Sequence, residues 1–120
     1  MNPTQYTEFV SKVAKDFGEA GISVRSEHAD ILHATLGIAG EAGEIVDAVK
    51  KTIIYNKPLD RDNLIEETGD VLWYVALMCI GLGVSMEEIM QNNYQKLIKR
   101  YPNANYSDAN AIARMDKVNG

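Results

Sequence analysis

Hydrophobic residues recur every three or four positions along most of the chain, which is the repeat of one face of an α-helix. The pattern predicts four helices, over about residues 4–17, 30–55, 60–82 and 86–101. The apolar stripe of the second helix comprises Leu32, Leu36, Ala39, Val46, Val49 and Ile53. The stripe of the fourth, which we expect to be buried, comprises Met86, Ile89, Met90, Tyr94, Leu97, Ile98 and Tyr101. We therefore expect an all-α, four-helix-bundle-like domain.

Capping residues mark the start of the first two predicted helices. Asn2 or Thr4 can cap the first, which runs to about Phe17. A connector of mixed polarity follows, and either Ser26 or Asp30 can cap the second helix.

Turn residues separate the remaining helices. Asn56, Pro58 and Asp60 interrupt the pattern between the second and third helices, so these two helices are expected to run antiparallel. Gly83 is a natural C-cap for the third helix, and Pro102 ends the fourth. Beyond it, residues 107–115 predict a short helical tail, followed by Asp116.

The third helix is apolar on nearly all sides after Asp70, as expected of a central helix or of a subunit interface. It has more apolar surface than a single 120-residue bundle covers, so we expect a homodimer or homotetramer. The uncharged stretch from Val71 to Met86 is shorter than the roughly 20 residues of a membrane span. A core helix explains it better, and no membrane partner is expected.

Composition limits the possible classes of function. The 120 residues fit one domain, spanning 1–120, and the net charge of −5 argues against binding a nucleic-acid polymer. Cys79 is the single cysteine, so an intrachain disulfide is excluded, and its apolar surroundings favour a buried thiol. The N-terminus does not have the layout of a signal peptide, which favours a cytoplasmic location.

Two pairs of acidic residues carry the candidate chemistry. Glu41 and Glu44 are three residues apart, as are Glu67 and Asp70, so each pair lies on one face of its helix. If the two faces meet, four carboxylates converge, and a divalent cation would relieve their repulsion. Oxygen donors without thiolate or imidazole favour Mg²⁺ or Mn²⁺. The simpler interpretation is a solvated acidic surface.

Three glycines inside the second helix also need an explanation. Gly37, Gly40 and Gly43 recur at every third position, although each costs roughly 1 kcal/mol relative to alanine. Either the helix packs closely against a neighbour, or its bare backbone leaves room for phosphates beside the acidic pair. The pattern allows both interpretations.

The segments GEAGEIVDAVKK, NLIEETGDVLWYVALM and NNYQKLIKRYP resemble the MazG-like, all-α nucleoside triphosphate pyrophosphohydrolases. The resemblance covers a core of about residues 30–102. The family motif is E-E-x-x-E followed by E-E-x-x-D, and Gly40 replaces its first acidic residue. The resemblance implies that Glu41, Glu44, Glu67 and Asp70 are the metal ligands.

The resemblance also implies where a nucleotide binds. The fourth helix matches the family segment N-x-x-K-L-x-x-R-Y-P, which implies that Asn93 contacts sugar or base and that Lys96 and Arg100 contact phosphate. Trp73 and Tyr74 follow Asp70 by three and four residues, where an aromatic ring either packs in the core or stacks on a nucleobase. Arg114 and Asp116 in the tail are similar to an Arg/Asp pair in phage-type relatives.

The predicted function is hydrolysis of a nucleoside triphosphate between its α and β phosphorus atoms, with Mg²⁺ as cofactor. Glu41 or Glu44 is the candidate proton acceptor, and Lys96 and Arg100 would stabilise charge on the phosphates. A phosphoribosyl-ATP pyrophosphohydrolase is an alternative enzyme, and a non-catalytic helical interaction module is an alternative class. A di-iron bundle is disfavoured, because neither His28 nor His33 stands three residues after a glutamate.

Overall fold

The computed structural model describes residues 1–16 and 28–117. Within these ranges the protein is helical and has no strand. The helices are α1 (Pro3–Val13), α2 (Ala29–Tyr55), α3 (Arg61–Leu82), α4 (Met86–Arg100) and α5 (Asp108–Ala113), and a 3₁₀ turn over Met115–Lys117 follows. The expectation of an all-α fold with a short C-terminal helix is confirmed.

The first helix is shorter than predicted. Asn2 caps it as expected, because its side chain accepts a hydrogen bond from the Gln5 backbone at 2.8 Å and the Gln5 side chain accepts one from the Asn2 backbone. The helix ends at Val13, since Ala14 adopts an extended conformation with ψ near 141°. Phe17, the predicted end, lies outside the described residues.

The second helix begins after His28, so Asp30 is not its N-cap but lies in its first turn. There the carboxylate faces the positive end of the helix dipole. The other predicted cap, Ser26, lies outside the described residues. At the far end, Asn56 caps α2 in the left-handed region, and the Asp60 side chain accepts from the Asn63 backbone at 3.1 Å to begin α3. Gly83, at φ +68°, ends α3 as predicted.

The chain forms two compact units, Met1–Ser85 and Met86–Gly120. In the first unit, α3 packs against both α1 and α2. Among the described residues of this unit, five side chains are fully buried: Val10, Ala34, Ala76, Leu77 and Cys79. The buried position of the Cys79 thiol agrees with the expectation of a structural cysteine.

Small residues, rather than the predicted stripe, form the closest contact between α2 and α3. A Cβ at Gly37 would overlap the Tyr74 ring, and one at Gly81 would lie 2.8 Å from the Ile31 side chain. The predicted stripe on α2 is instead exposed, with Val46 at 65% and Ile53 at 70%. The stripe of α2 therefore does not form the contact with α3 in a single chain, because glycine and alanine allow a closer helix approach than large side chains do. The prediction that the stripe of α4 is buried is wrong for a single chain, since Met90 and Tyr94 are each 57% exposed.

In the second unit, α4 packs against the C-terminal tail. Arg100 near the end of α4 binds Asp116, with Nε to Oδ1 at 2.9 Å and Nη2 to Oδ2 at 3.2 Å. The Ser107 side chain begins α5 by accepting from the Asn110 backbone at 3.1 Å. The Arg100–Asp116 pair joins residues 16 positions apart and holds the tail on α4.

No single helix among the described residues is long and apolar enough to cross a membrane. Helices α3 and α4 satisfy the same length and composition test only when they are taken together, as a pair broken after Leu82.

Candidate active site

Three of the predicted carboxylates meet in the first unit. Glu41 on α2 and Glu67 and Asp70 on α3 each offer an oxygen, and these oxygens lie within 4.8 Å of one another. Glu67 and Asp70 share a face because they are three residues apart, while Glu41 follows the Gly37 contact by one helical turn. The close approach of α2 to α3 thus brings the acidic faces together. We call Glu41, Glu67 and Asp70 the acidic triad.

Electrostatic repulsion in the triad is relieved by a shared proton. A hydrogen bond with the Glu41 side chain raises the pKa of Glu67 to about 7, with further contributions from burial and from the charges of Glu41, Asp70 and Glu44. A carboxyl that keeps its proton near neutral pH lies in a strongly negative environment. A cation bound by these oxygens would replace the proton.

Glu44 is close to the triad but distinct from it. It is exposed, and the group of converging oxygens found among the described residues does not include it. Its negative charge nevertheless contributes to the raised pKa of Glu67. Glu44 therefore acts on the triad through its charge, with a carboxylate that is free to face solvent or a ligand.

Aromatic side chains form one wall beside the triad. A hollow of about 290 Å³ is lined by Glu41, Asp70, Trp73 and Tyr74. The Trp73 and Tyr74 rings meet edge to face, with centroids 5.1 Å apart, and the His33 ring lies 5.6 Å from that of Tyr74. The structure thus places Trp73 next to two of the carboxylates, so an aromatic surface and a set of oxygen ligands share one hollow.

Two tyrosines lie at the site, and of these only Tyr6 was not singled out from the sequence. Tyr6 on α1 is near enough to Asp70 that the carboxylate charge, after burial, helps to raise the pKa of its phenol. Tyr74 is fixed against the bare backbone of Gly37. The pattern identified Tyr6 only as part of an apolar face, since no local signal marks a residue that is influenced by the charge of Asp70, more than 60 positions away.

The predicted substrate residues of α4 belong to the second unit. Asn93 lines an open, mainly apolar hollow of about 590 Å³, together with Tyr94, Tyr101 and Tyr106. Lys96 is exposed, and Arg100 is held by Asp116. Asn93 and Lys96 therefore present polar groups at the surface, whereas the Arg100 side chain is only 17% exposed. The assignment of these residues to sugar and phosphate stays a prediction.

The chain is all-α, and two packed helices contribute its acidic triad. These features place it in the class of helical proteins that have a candidate metal site. Residues 30–105 match the family described as the MazG nucleotide pyrophosphohydrolase domain. This match covers more than half of the chain, so the protein belongs to that family. The acidic triad lies within the matched residues.

Two relatives extend this comparison. The chain is 40% identical over 72 residues to the Gene 37 protein of Mycobacterium phage L5, covering 57% of this chain and 63% of that protein. It is 36% identical over 73 residues to the uncharacterized protein YvdC of Bacillus subtilis strain 168, covering 53% of this chain and 69% of that protein. No solved structure matches the chain.

Proposed function

We propose that this protein is a Mg²⁺-dependent pyrophosphohydrolase that cleaves a nucleoside triphosphate between its α and β phosphorus atoms. The products would be a nucleoside monophosphate and pyrophosphate. The observation that carries the proposal is the convergence of Glu41, Glu67 and Asp70 beside an aromatic wall, in a chain of the MazG family. A shared hollow of this kind suits a ligand that has both phosphates and a planar base.

The donor set of the site fits a hard divalent cation. All three converging atoms are carboxylate oxygens, and the raised pKa of Glu67 reflects an excess of negative charge there. Glu41, Glu67 and Asp70, with Glu44 beside them, would hold Mg²⁺ or Mn²⁺. When bound, the metal would neutralise phosphate charge and lower the pKa of the attacking water.

Side chains of the protein would supply proton transfer and substrate binding. Glu44, or alternatively Glu41, accepts the proton of the attacking water, and the exposed carboxylate of Glu44 is the freer of the two. Trp73 stacks on the base beside the metal.

On α4, Asn93 binds sugar or base through its amide. Lys96 and Arg100 stabilise negative charge on the phosphates and on the leaving group. Loss of a contact that is equally strong in the bound substrate and in the transition state would raise KM. Loss of a contact that strengthens in the transition state would lower kcat.

We further propose that the protein functions as a homodimer or homotetramer. In a single chain, α2 exposes Val46, Ile53 and Ile54, which line an apolar hollow of about 450 Å³ together with the half-buried Ile45 and Val49. On α4, Met90 and Tyr94 are each 57% exposed. Monomers rarely expose large contiguous apolar patches, and a second copy of the chain would cover them. Free nucleotides rather than nucleic-acid polymers as partners fit the net charge of −5. We propose a cytoplasmic location for this activity, without a membrane partner.

The decisive experiment is a product analysis with purified full-length protein. Each common ribo- and deoxyribonucleoside triphosphate, each diphosphate and phosphoribosyl-ATP is incubated with Mg²⁺, with Mn²⁺ or with EDTA, and phosphorus NMR identifies the products. We expect monophosphate and pyrophosphate in equal amounts, and only with metal. Release of orthophosphate as the first product would overturn the proposal.

A matched pair of variants separates a catalytic site from an acidic surface. Glu67→Gln removes a triad carboxylate, whereas Glu66→Gln removes an exposed carboxylate from the same helix. We expect turnover to be lost only in Glu67→Gln. Absence of Mg²⁺ binding and of turnover in the wild type would favour a non-catalytic helical module. Turnover confined to phosphoribosyl-ATP would identify the alternative enzyme.

A further inference from the structure

Two arginines lie close to a single aspartate in the C-terminal tail. The side chain of Asp116 is fully buried, and its Oδ1 lies 2.9 Å from Arg100 Nε and 4.0 Å from Arg114 Nε. Arg100 belongs to α4 and Arg114 ends α5, so residues from two elements converge on one carboxylate oxygen. We call Arg100 and Arg114 the arginine pair.

The backbone of the tail is shaped to produce this convergence. Arg114 adopts the left-handed region, at φ +50°, and its carbonyl accepts a hydrogen bond from the Lys117 backbone at 2.8 Å. A residue other than glycine in that region is uncommon and needs support from its surroundings. The reversal after Ala113 turns Asp116 towards α4 while leaving the Arg114 side chain 51% exposed.

The pair retains positive charge and free hydrogen-bond donors. Asp116 accepts hydrogen bonds from Nε and Nη2 of Arg100, and Tyr101 also interacts with this guanidinium, which leaves only part of its five N–H donors for another partner. The Arg114 side chain, at 51% exposure, is the more accessible of the two. One carboxylate offsets only one of the two cations. Lys96, exposed and one helical turn before Arg100, adds a third. Such a cluster suits a multiply charged anion with several acceptor oxygens.

We propose that Arg114 binds a phosphate group of the nucleotide together with Arg100, and that Asp116 positions both guanidinium groups. The proposal rests on the proposed function for the identity of the anion. A purely structural ion pair between Arg100 and Asp116 would tie the tail to α4 without Arg114. The convergence of a second, half-exposed guanidinium on the same oxygen distinguishes a binding cluster from such a tie.

Anion binding can be measured without hydrolysis. The chain has four arginines, at positions 25, 61, 100 and 114, so the Nε–H signals of the full-length protein are few enough to resolve by NMR. Sodium pyrophosphate is titrated in EDTA at low ionic strength, so that metal binding does not contribute. We expect saturable shifts of the Arg100 and Arg114 signals, assigned with lysine variants, and little change at Arg61.

Variants then test the role of each residue. Arg114→Gln should weaken pyrophosphate binding by about tenfold, as expected for loss of one charge-assisted contact, while the melting temperature changes little. Arg61→Gln, which removes an exposed arginine on α3, should leave binding unchanged. Asp116→Asn should weaken binding and lower the melting temperature together, because it both releases the pair and frees the tail.

The outcomes distinguish this inference from the proposed function. The role of Arg114 would be overturned if Arg114→Gln bound pyrophosphate as tightly as the wild type, or if the wild type showed no measurable binding in EDTA. Either result would count even if the enzyme hydrolyses triphosphates. Failure of the wild type to release pyrophosphate from any nucleotide would overturn the proposed function, whatever the titration shows. If hydrolysis occurs, Arg114→Gln is expected to raise KM more than it lowers kcat, and Arg114→Lys to restore part of the affinity.

Discussion

Glu67 on α3 is hydrogen bonded to Glu41 on α2, and this contact is the main reason why the pKa of Glu67 is raised to about 7. The two carboxyl groups share a proton across the helix interface because their repulsion is lower when one of them is neutral. The pair therefore links the packing of α2 and α3 to pH and to any cation bound at the site.

The metal-free protein is expected to lose stability as pH rises from about 4.5 to about 7. The pKa of Glu67 is about 7 in the folded state against 4.5 in the reference state, so the folded state binds more protons in this window and unfolding is favoured as pH rises. Urea unfolding in EDTA at pH 5 and pH 8 measures the change. Glu67→Gln should flatten the dependence, and the same slope in this variant as in Glu66→Gln would contradict the assignment.

Mg²⁺ is expected to stabilise the wild type and to stabilise Glu67→Gln much less. A ligand that binds only the folded state adds RT ln(1 + [L]/Kd), or about 2.7 kcal/mol at 100 times Kd. The melting temperatures of both proteins, with and without Mg²⁺ at pH 8, give the comparison. In EDTA the variant should melt higher than the wild type, because one repelling charge has been removed. Equal Mg²⁺ shifts together with retained turnover would mean that Glu67 is not a ligand.

Gly37→Ala and Gly40→Ala are expected to have opposite effects on stability. The added methyl at Gly37 overlaps the Tyr74 ring, so the α2–α3 contact must open, at a cost of about 1–3 kcal/mol. The methyl at Gly40 meets no atom within 4 Å, so this variant should gain up to about 1 kcal/mol from helix propensity. Urea unfolding of both variants tests the difference. A gain in stability for Gly37→Ala would show that the close contact does not hold.

A second copy of the chain is expected to cover the exposed face of α2. Light scattering of the wild type at micromolar concentration should give the mass of a dimer or a tetramer. Ile53→Glu, which places a charge on a side chain that is 70% exposed in one chain, should give monomers without unfolding α2. A monomeric wild type would contradict the expected oligomer. If Ile53→Glu has the same oligomeric mass as the wild type, the interface lies on another face of the protein.

Lys96→Ala is expected to weaken the affinity or turnover of a triphosphate with little loss of stability. Lys96 is exposed on α4, so its removal leaves no cavity, whereas a phosphate would lose one cationic partner. Lys99→Ala removes a neighbouring exposed charge and serves as the control. Steady-state kinetics for both variants, with circular dichroism to check the helices, measure the effect. If both variants behave like the wild type, Lys96 has no part in binding.

Local pattern was sufficient to predict most of the helices. The bounds expected for α2, α3 and α4 agree with the structure to within one residue, because helical periodicity and the turn residues between helices are local signals. Gly83 ends α3 in the left-handed conformation that a C-cap requires. Spacing also determined that Glu67 and Asp70 lie on one face, since residues three apart are neighbours in any α-helix.

Only the tertiary structure decided which helix faces meet. Large apolar residues on α2 form a stripe, but the contact with α3 forms where Gly37 and Gly81 allow a close approach, and Val46 stays exposed in a single chain. That choice brings Glu41 to Glu67. The charge effect of Asp70 on Tyr6 has no sequence signal, because it depends on the relative rotation and crossing of packed helices, which local periodicity does not specify. The ion pair of Arg100 with Asp116 has none either, because it depends on the path of the tail after α5.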